Sequence, residues 1–237
     1  MSTTDFAVFL IDDDPSVLKA LTRLLQTAGY KTKAFSSSEA FLDEHDPSVP
    51  GCAVLDLTMP GLDGLELQQK LAGKATGRPI VFLTGHASVP ASVRAMKAGA
   101  VDFLLKPVKQ VDLLEAVGRA AALDRVARCA DEERRSVYAC LEKLTPRERE
   151  VLTHVIAGRL NKQIAADLGT VEKTIKVHRS RMMAKMGVRT VAALVRLTQK
   201  VPLQPYRTPN LFGPKANSTD RLNRAQISTH ADSDRGR

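Results

Sequence analysis

Five side chains of reactive type stand at or just beyond the ends of short apolar runs in this chain. Asp56 closes Gly51-Cys-Ala-Val-Leu-Asp56, and Asp12 and Asp13 follow Phe6-Ala-Val-Phe-Leu-Ile11. Thr84 follows Pro79-Ile-Val-Phe-Leu83, and Lys106 follows Val101-Asp-Phe-Leu-Leu105. Brought together, they would put three carboxylates, one hydroxyl and one ammonium in one place. Three like charges within a few Å cannot all ionise cheaply without a counter-charge, and an oxygen-only ligand set favours a hard cation such as Mg²⁺. With the metal bound, Asp56 becomes a candidate nucleophile toward a phosphoryl group, because carboxylates can form aspartyl-phosphates. Lys106 and Thr84 would hold the transferred oxygens.

The elements that must position these groups are legible in the same stretch. Short apolar β-type runs alternate with amphipathic segments, which predicts an α/β fold with a doubly wound (βα)5 sheet. Strands are expected near 6 to 11, 30 to 35, 52 to 56, 79 to 84 and 101 to 105. Helices are expected near 15 to 28, 37 to 45, 64 to 72, 89 to 98 and from 109 onward. Side chains at the carboxyl ends of parallel strands converge on one crevice, so residues far apart in sequence can build a single site. Neighbouring polar residues have plainer roles. Asp14 before Pro15 reads as a helix N-cap, Asp63 with Gly64 as a turn, and His86 as a loop residue near the site rather than a base.

From Gln110 to Leu144 there is no proline and one glycine, Gly118, which predicts a mostly helical linker. Gly118 and the segment Cys129-Ala-Asp-Glu-Glu-Arg-Arg135 are the places where it can break.

A second module follows. Thr145-Pro-Arg-Glu148 combines an N-cap, a proline at the first helical position and a glutamate three after the cap. Val151, Leu152, Val155 and Ile156 give this helix an apolar face, and Gly158 is its expected C-cap. Asn161 is expected to cap a short second helix with Ile164, Ala165 and Leu168 inward, closed by Gly169. A third helix, from about Glu172 to Met186, has a core stripe of Ile175, Met182 and Met186 and an outward stripe of Lys173, Lys176, Val177 and Ser180. This reads as an all-α helix-turn-helix domain. On the outward stripe, with Thr174 beside it, lysine suits guanine acceptors and valine a thymine methyl. Arg179, Arg181 and Lys162 are placed for double-stranded DNA phosphates.

Both halves resemble known families. Ile11-Asp-Asp-Asp-Pro15, Leu55-Asp-Leu-Thr-Met-Pro-Gly-Leu-Asp-Gly64, Leu83-Thr-Gly-His86, Met96-Lys-Ala-Gly-Ala100 and Phe103-Leu-Leu-Lys-Pro107 resemble the receiver domain of two-component response regulators. Leu144-Thr-Pro-Arg-Glu-Arg-Glu-Val-Leu152, Asn161-Lys-Gln-Ile-Ala165, Lys173-Thr-Ile-Lys-Val-His-Arg179 and Lys185-Met-Gly187 resemble the LuxR-type helix-turn-helix. The whole is similar to regulators of the FixJ/NarL class. The resemblance implies Asp56 as phosphoacceptor and a Mg²⁺ site of Asp12, Asp13, Asp56 and the Thr58 carbonyl. It implies Thr84 and Phe103 as switch residues and a cis Lys106-Pro107 bond. It further implies a sensor histidine kinase as phosphodonor, a homodimer formed through the helix 89 to 98 and strand 101 to 105, and contact with RNA polymerase. One departure concerns the recognition helix, which in this family begins after a capping Ser or Thr; Val171 stands there, so Thr170 caps instead or the end frays.

Charge distribution agrees with a DNA partner for one part only. Residues 1 to 122 carry 12 basic and 14 acidic side chains, whereas residues 145 to 200 carry 12 basic and 4 acidic. Such confinement of basic charge suggests a polyanion partner for that segment. No apolar run spans a bilayer and Met1-Ser-Thr-Thr-Asp5 lacks a secretory pattern, so a cytoplasmic protein is expected. Three cysteines, Cys52, Cys129 and Cys140, fit neither a disulfide framework nor a zinc site. The expected organisation is a receiver over 1 to 122, a linker over 123 to 140, a helix-turn-helix domain over 141 to 200 and a disordered tail over 201 to 237.

Three rival readings accompany this one. A haloacid-dehalogenase-type phosphatase also uses a strand-end Asp with Thr and Lys, but it expects a second Asp two residues on, where this chain has Thr58. A receiver serving as a phosphate sink or protein-binding module, with DNA binding independent of phosphorylation, is the second. A constitutive DNA binder with a vestigial receiver is the third.

Overall fold

The first half of the chain folds around five parallel strands in the order β2-β1-β3-β4-β5. These are β1 (Ala7–Ile11), β2 (Lys31–Phe35), β3 (Gly51–Asp56), β4 (Ile80–Thr84) and β5 (Asp102–Leu105). The structure is a computed structural model and describes residues 6–72, 77–85 and 89–202. Helices α1 (Pro15–Thr27), α2 (Ser38–Glu44), α3 (Gly64–Ala72), α4 (Val89–Lys97) and α5 (Gln110–Glu142) connect or follow the strands.

Strand alternation explains why both faces of the sheet are covered. Successive side chains of a strand point to opposite faces, so a sheet buried on both sides needs apolar residues at every position. Phe9, Ile11, Ala53, Leu55, Ile80 and Phe82 pack on one face with Phe41, Leu67 and Ala95 from α2, α3 and α4. Val8, Leu10, Cys52, Val54, Val81 and Leu83 pack on the other with Leu21, Leu25, Leu113, Val117 and Ala120 from α1 and α5. Cys52 lies in this second core, where burial pushes its thiol up to about 12, so it is an inert thiol as expected.

The expected helical linker is found, and it breaks at neither of the two places where it could. α5 runs unbroken for 33 residues, through Gly118 and through Cys129–Arg135. Leu113, Ala116, Val117 and Ala120 pack in the core on either side of Gly118; farther along, Asp124 is buried and pairs with Arg128 at 2.8 Å, and Arg128 donates to the carbonyls of Pro47, Ser48 and Val49 at 3.0, 2.8 and 2.7 Å. Residues beyond the expected receiver boundary are therefore fastened to the loop between α2 and β3.

The chain divides into two units, residues 1–142 and 143–237. In the second, α6 (Pro146–Ile156), α7 (Asn161–Asp167), α8 (Glu172–Lys185) and α9 (Val191–Thr198) enclose Val151, Leu152, Val155, Ile164, Ile175, Met182, Met186 and Leu194. Gly158, Gly169 and Gly187 adopt positive φ (77°, 60° and 66°) just beyond the ends of α6, α7 and α8, the left-handed backbone that glycine adopts without a Cβ clash. Among the described residues no helix is long and apolar enough to cross a membrane. The tail assigned to 201 to 237 lies, from residue 203, outside the described residues.

Candidate functional site

The strand order reverses between β1 and β3, and this is where the acidic groups meet. Asp12 follows β1 and is 2% exposed; Asp56 ends β3 and is 8% exposed; Thr84 ends β4 and is 1% exposed. Asp13 beside them faces solvent. One carboxylate oxygen from each of Asp12, Asp13 and Asp56 lies within 4.8 Å of the others. Lys106, just past β5, donates from Nζ to Asp12 Oδ2 at 2.5 Å and to Asp56 Oδ2 at 2.7 Å. Its backbone N–H donates to the Thr84 carbonyl at 2.8 Å, and the Lys106-Pro107 bond is cis. Asp56 Oδ1 accepts from the Thr58 N–H at 3.2 Å, and Asp12 Oδ1 from the Asp14 N–H at 3.0 Å.

Burial raises the pKa of Asp12, opposed by its hydrogen bond to Lys106. Burial would lower the pKa of Lys106, but its hydrogen bonds and attraction to Asp12 and Asp56 outweigh that and raise it. The ammonium is thus the standing counter-charge of the carboxylates. The three carboxylates, all hard oxygen donors within one ion's reach, fit a divalent cation such as Mg²⁺.

Surrounding residues take structural roles. Asp14 caps α1, its carboxylate accepting from the Ser16 N–H at 2.8 Å. Asp63 accepts from the Glu66 N–H at 2.8 Å at the start of α3. Phe103 is half-buried on β5, its ring 6.2 Å from that of Phe82. His86 lies outside the described residues. Gly64 reads from the sequence only as part of a turn. A Cβ there would lie 2.5 Å from the Asp56 carbonyl oxygen and 3.0 Å from Phe82, so its bare Cα lets α3 begin against the phosphoacceptor candidate. Asp-Gly in the sequence carries no sign of that close approach.

In the second unit the capping box is present: Glu148 N–H donates to Thr145 Oγ1 at 3.3 Å and Thr145 N–H to Glu148 Oε2 at 2.9 Å. Glu148 is buried and also receives Lys185 Nζ at 2.6 Å, tying the start of α6 to the end of α8. On α8, Lys173, Lys176, Val177, Ser180 and Arg181 are exposed, as is Lys162 on α7, while Thr174 and Arg179 are half-buried.

Two expectations need correction. Asn161 does not cap α7; it is the first helical residue, and Leu160 occupies the cap with its N–H bonded to Gln163 Oε1 at 2.9 Å. The Asn161 Oδ1 instead accepts from Arg179 Nη1 at 2.9 Å, so Arg179, read as a phosphate contact, has an intramolecular partner. Thr170 does not replace the missing cap of α8 either: Val171 holds that position without a side-chain bond. Lys176 pairs with Glu172 at 3.1 Å on the exposed face.

This combination of a five-stranded α/β domain with an acidic site at its strand ends and a separate helix-turn-helix unit defines a two-component response regulator. Residues 8–118 match the response regulator receiver domain, and residues 142–198 match the bacterial regulatory proteins of the luxR family. The chain is 41% identical over 207 residues to nodulation protein W of Bradyrhizobium diazoefficiens, covering 87% of this chain and 91% of that protein. It is 40% identical over 194 residues to the transcriptional regulatory protein FixJ of Rhizobium meliloti, covering 82% of this chain and 95% of that protein. The solved structure of response regulator StyR superposes with a TM-score of 0.74 at 44% identity, covering 83% of this chain and 100% of that one. The chain belongs to the response regulators that join a receiver domain to a LuxR-type DNA-binding domain; it is a regulator, not an enzyme.

Proposed function

We propose that this chain is a phosphorylation-switched transcriptional activator of the cytoplasm, with Asp56 accepting a phosphoryl group from a sensor histidine kinase. The carrying observation is the Lys106 ammonium, 2.5 Å from Asp12 and 2.7 Å from Asp56. A cation already seated between the nucleophile and its neighbour is where a transferred phosphoryl oxygen would find its counter-charge. Asp12, Asp13, Asp56 and the Thr58 carbonyl would hold Mg²⁺, which when bound neutralises charge on the phosphoryl oxygens. Thr84 at the end of β4 offers its hydroxyl to the same group, and Phe103 on β5 follows the displacement of Thr84.

Phosphorylation adds a doubly charged group and biases a two-state equilibrium rather than building a new fold. The output face in this reading is α4 and β5. Val89, Val93 and Met96 on α4 and Leu105 on β5 are exposed large apolar side chains, which suits burial against a second copy. A homodimer presents two α8 helices to paired half-sites in double-stranded DNA, with Lys173, Thr174, Lys176, Val177 and Ser180 toward base edges and Lys162, Arg179 and Arg181 toward phosphates. Bound dimers then recruit RNA polymerase.

The test compares wild type with Asp56→Asn, with Mg²⁺ and a small phosphodonor, reading oligomeric state and DNA affinity. Dimerisation and affinity gain confined to phosphorylated wild type are expected. Equal binding by both proteins, unchanged on phosphorylation, would overturn the switch and leave phosphorylation-independent DNA binding with the receiver as a phosphate sink.

A further inference from the structure

Beside the recognition helix α8 lies an open concavity of about 590 Å³ whose lining includes Asn161, Lys176, Arg179, Ser180 and Arg189, with Met183 among its apolar walls. Three elements converge on it: the start of α7, the outer face of α8 and the turn leading into α9. Three of these side chains are cationic, and no carboxylate is among its described lining residues. Lys176 pairs with Glu172, which is not among the lining residues, and the pairs of Lys185 with Glu148 and Arg159 with Asp167 also lie outside the concavity.

We infer that this concavity is a phosphodiester-binding site, in which Arg189, outside the recognition helix, joins Asn161 and Arg179 to grip the DNA backbone. The inference rests on the DNA-binding reading above and adds Arg189 and Asn161 to the DNA contacts expected from the sequence. Arg189 carries the planar fork that matches phosphate oxygens. Arg179 donates to Asn161 Oδ1, which leaves the amide N–H₂ of Asn161 as its donor end. Lys176, paired with Glu172 on the exposed face, stands beside them and keeps its place toward the base edges. A phosphate held between the middle of α8 and the turn after it would fix the helix's register in the groove, the role that backbone contacts play in letting base contacts specify.

The test is the salt dependence of binding by the full-length chain to a duplex selected from a randomised pool by the wild type. For each phosphate that a variant no longer neutralises, the slope of log K against log salt should fall by about 0.9. Arg189→Ala is expected to show a fall of about one such step, Arg189→Lys to retain most of the slope, and Arg125→Ala on α5, with the same change of charge, to match wild type. A purely structural role would lower affinity without changing the slope. If wild type selects no duplex, the DNA-binding reading itself fails; if wild type binds with a steep slope and Arg189→Ala has the same slope, the phosphate site is refuted while that reading stands.

Discussion

Lys106 and Asp12 meet at 2.5 Å although they follow strands that are not neighbours: β5 and β1 are separated in the sheet by β3 and β4. The long lysine stem spans that distance and passes Asp56 on the way, at 2.7 Å. One ammonium therefore serves two carboxylates.

Lys106→Met removes that shared counter-charge and leaves the buried Asp12 beside Asp56. In metal-free buffer the receiver should lose about 2 kcal/mol, below the usual cost of breaking a buried pair because the site opens to solvent. Mg²⁺ should restore part of the loss. Urea unfolding with and without Mg²⁺ measures both; an unchanged midpoint without metal would show that the carboxylates do not depend on Lys106.

Gly64→Ala places a methyl group 2.5 Å from the backbone oxygen of Asp56. Since backbone cannot rotate away as a side chain can, α3 must shift, at a cost of ~1–3 kcal/mol. The start of α3 and the Asp56 segment move together, so the rate of phosphorylation by a small phosphodonor should fall with stability. Unimpaired phosphorylation of a stable variant would rule out the close approach.

Arg128→Ala tests whether α5 beyond residue 122 belongs to the receiver. The substitution strips three carbonyls of the loop between α2 and β3 of a donor and leaves the buried Asp124 without its ion-pair partner. A destabilisation of about 2–3 kcal/mol is expected. Hydrogen exchange should speed up both at residues 45–50 and along 123–128; acceleration at neither would mean the clamp contributes nothing.

Glu148 makes the helix-turn-helix unit sensitive to acid. Burial pushes its carboxyl up, but the Lys185 ammonium and the Thr145 cap outweigh burial and hold it below its ordinary 4.5. A carboxylate with a depressed folded pKa stabilises fully above its unfolded value, and that contribution disappears as pH falls through the folded one. Stability of this unit should therefore decline below about pH 4.5. In Glu148→Gln that decline should be smaller and stability at neutral pH lower; circular dichroism melts across about pH 3 to 7 would reveal an unchanged acid limb if Glu148 were not responsible.

The sequence by itself determined the chemistry of the site, because parallel strands that end in Asp12, Asp56, Thr84 and beside Lys106 have one crevice to share. It also determined the local signals that need no partner: Asp14 before Pro15, the Thr145–Glu148 capping box, and the glycines after α6 and α7. Tertiary structure decided what depends on residues distant in sequence. The loop at residues 45–50 receives Arg128 of α5, a bond across about eighty residues that no local pattern announces. Arg179 claims the side chain of Asn161, which in isolation reads as a cap. Gly64 is needed because α3 begins against the carbonyl of Asp56. Periodicity and caps are properties of neighbouring residues; the interactions that override or complete them are made across the fold.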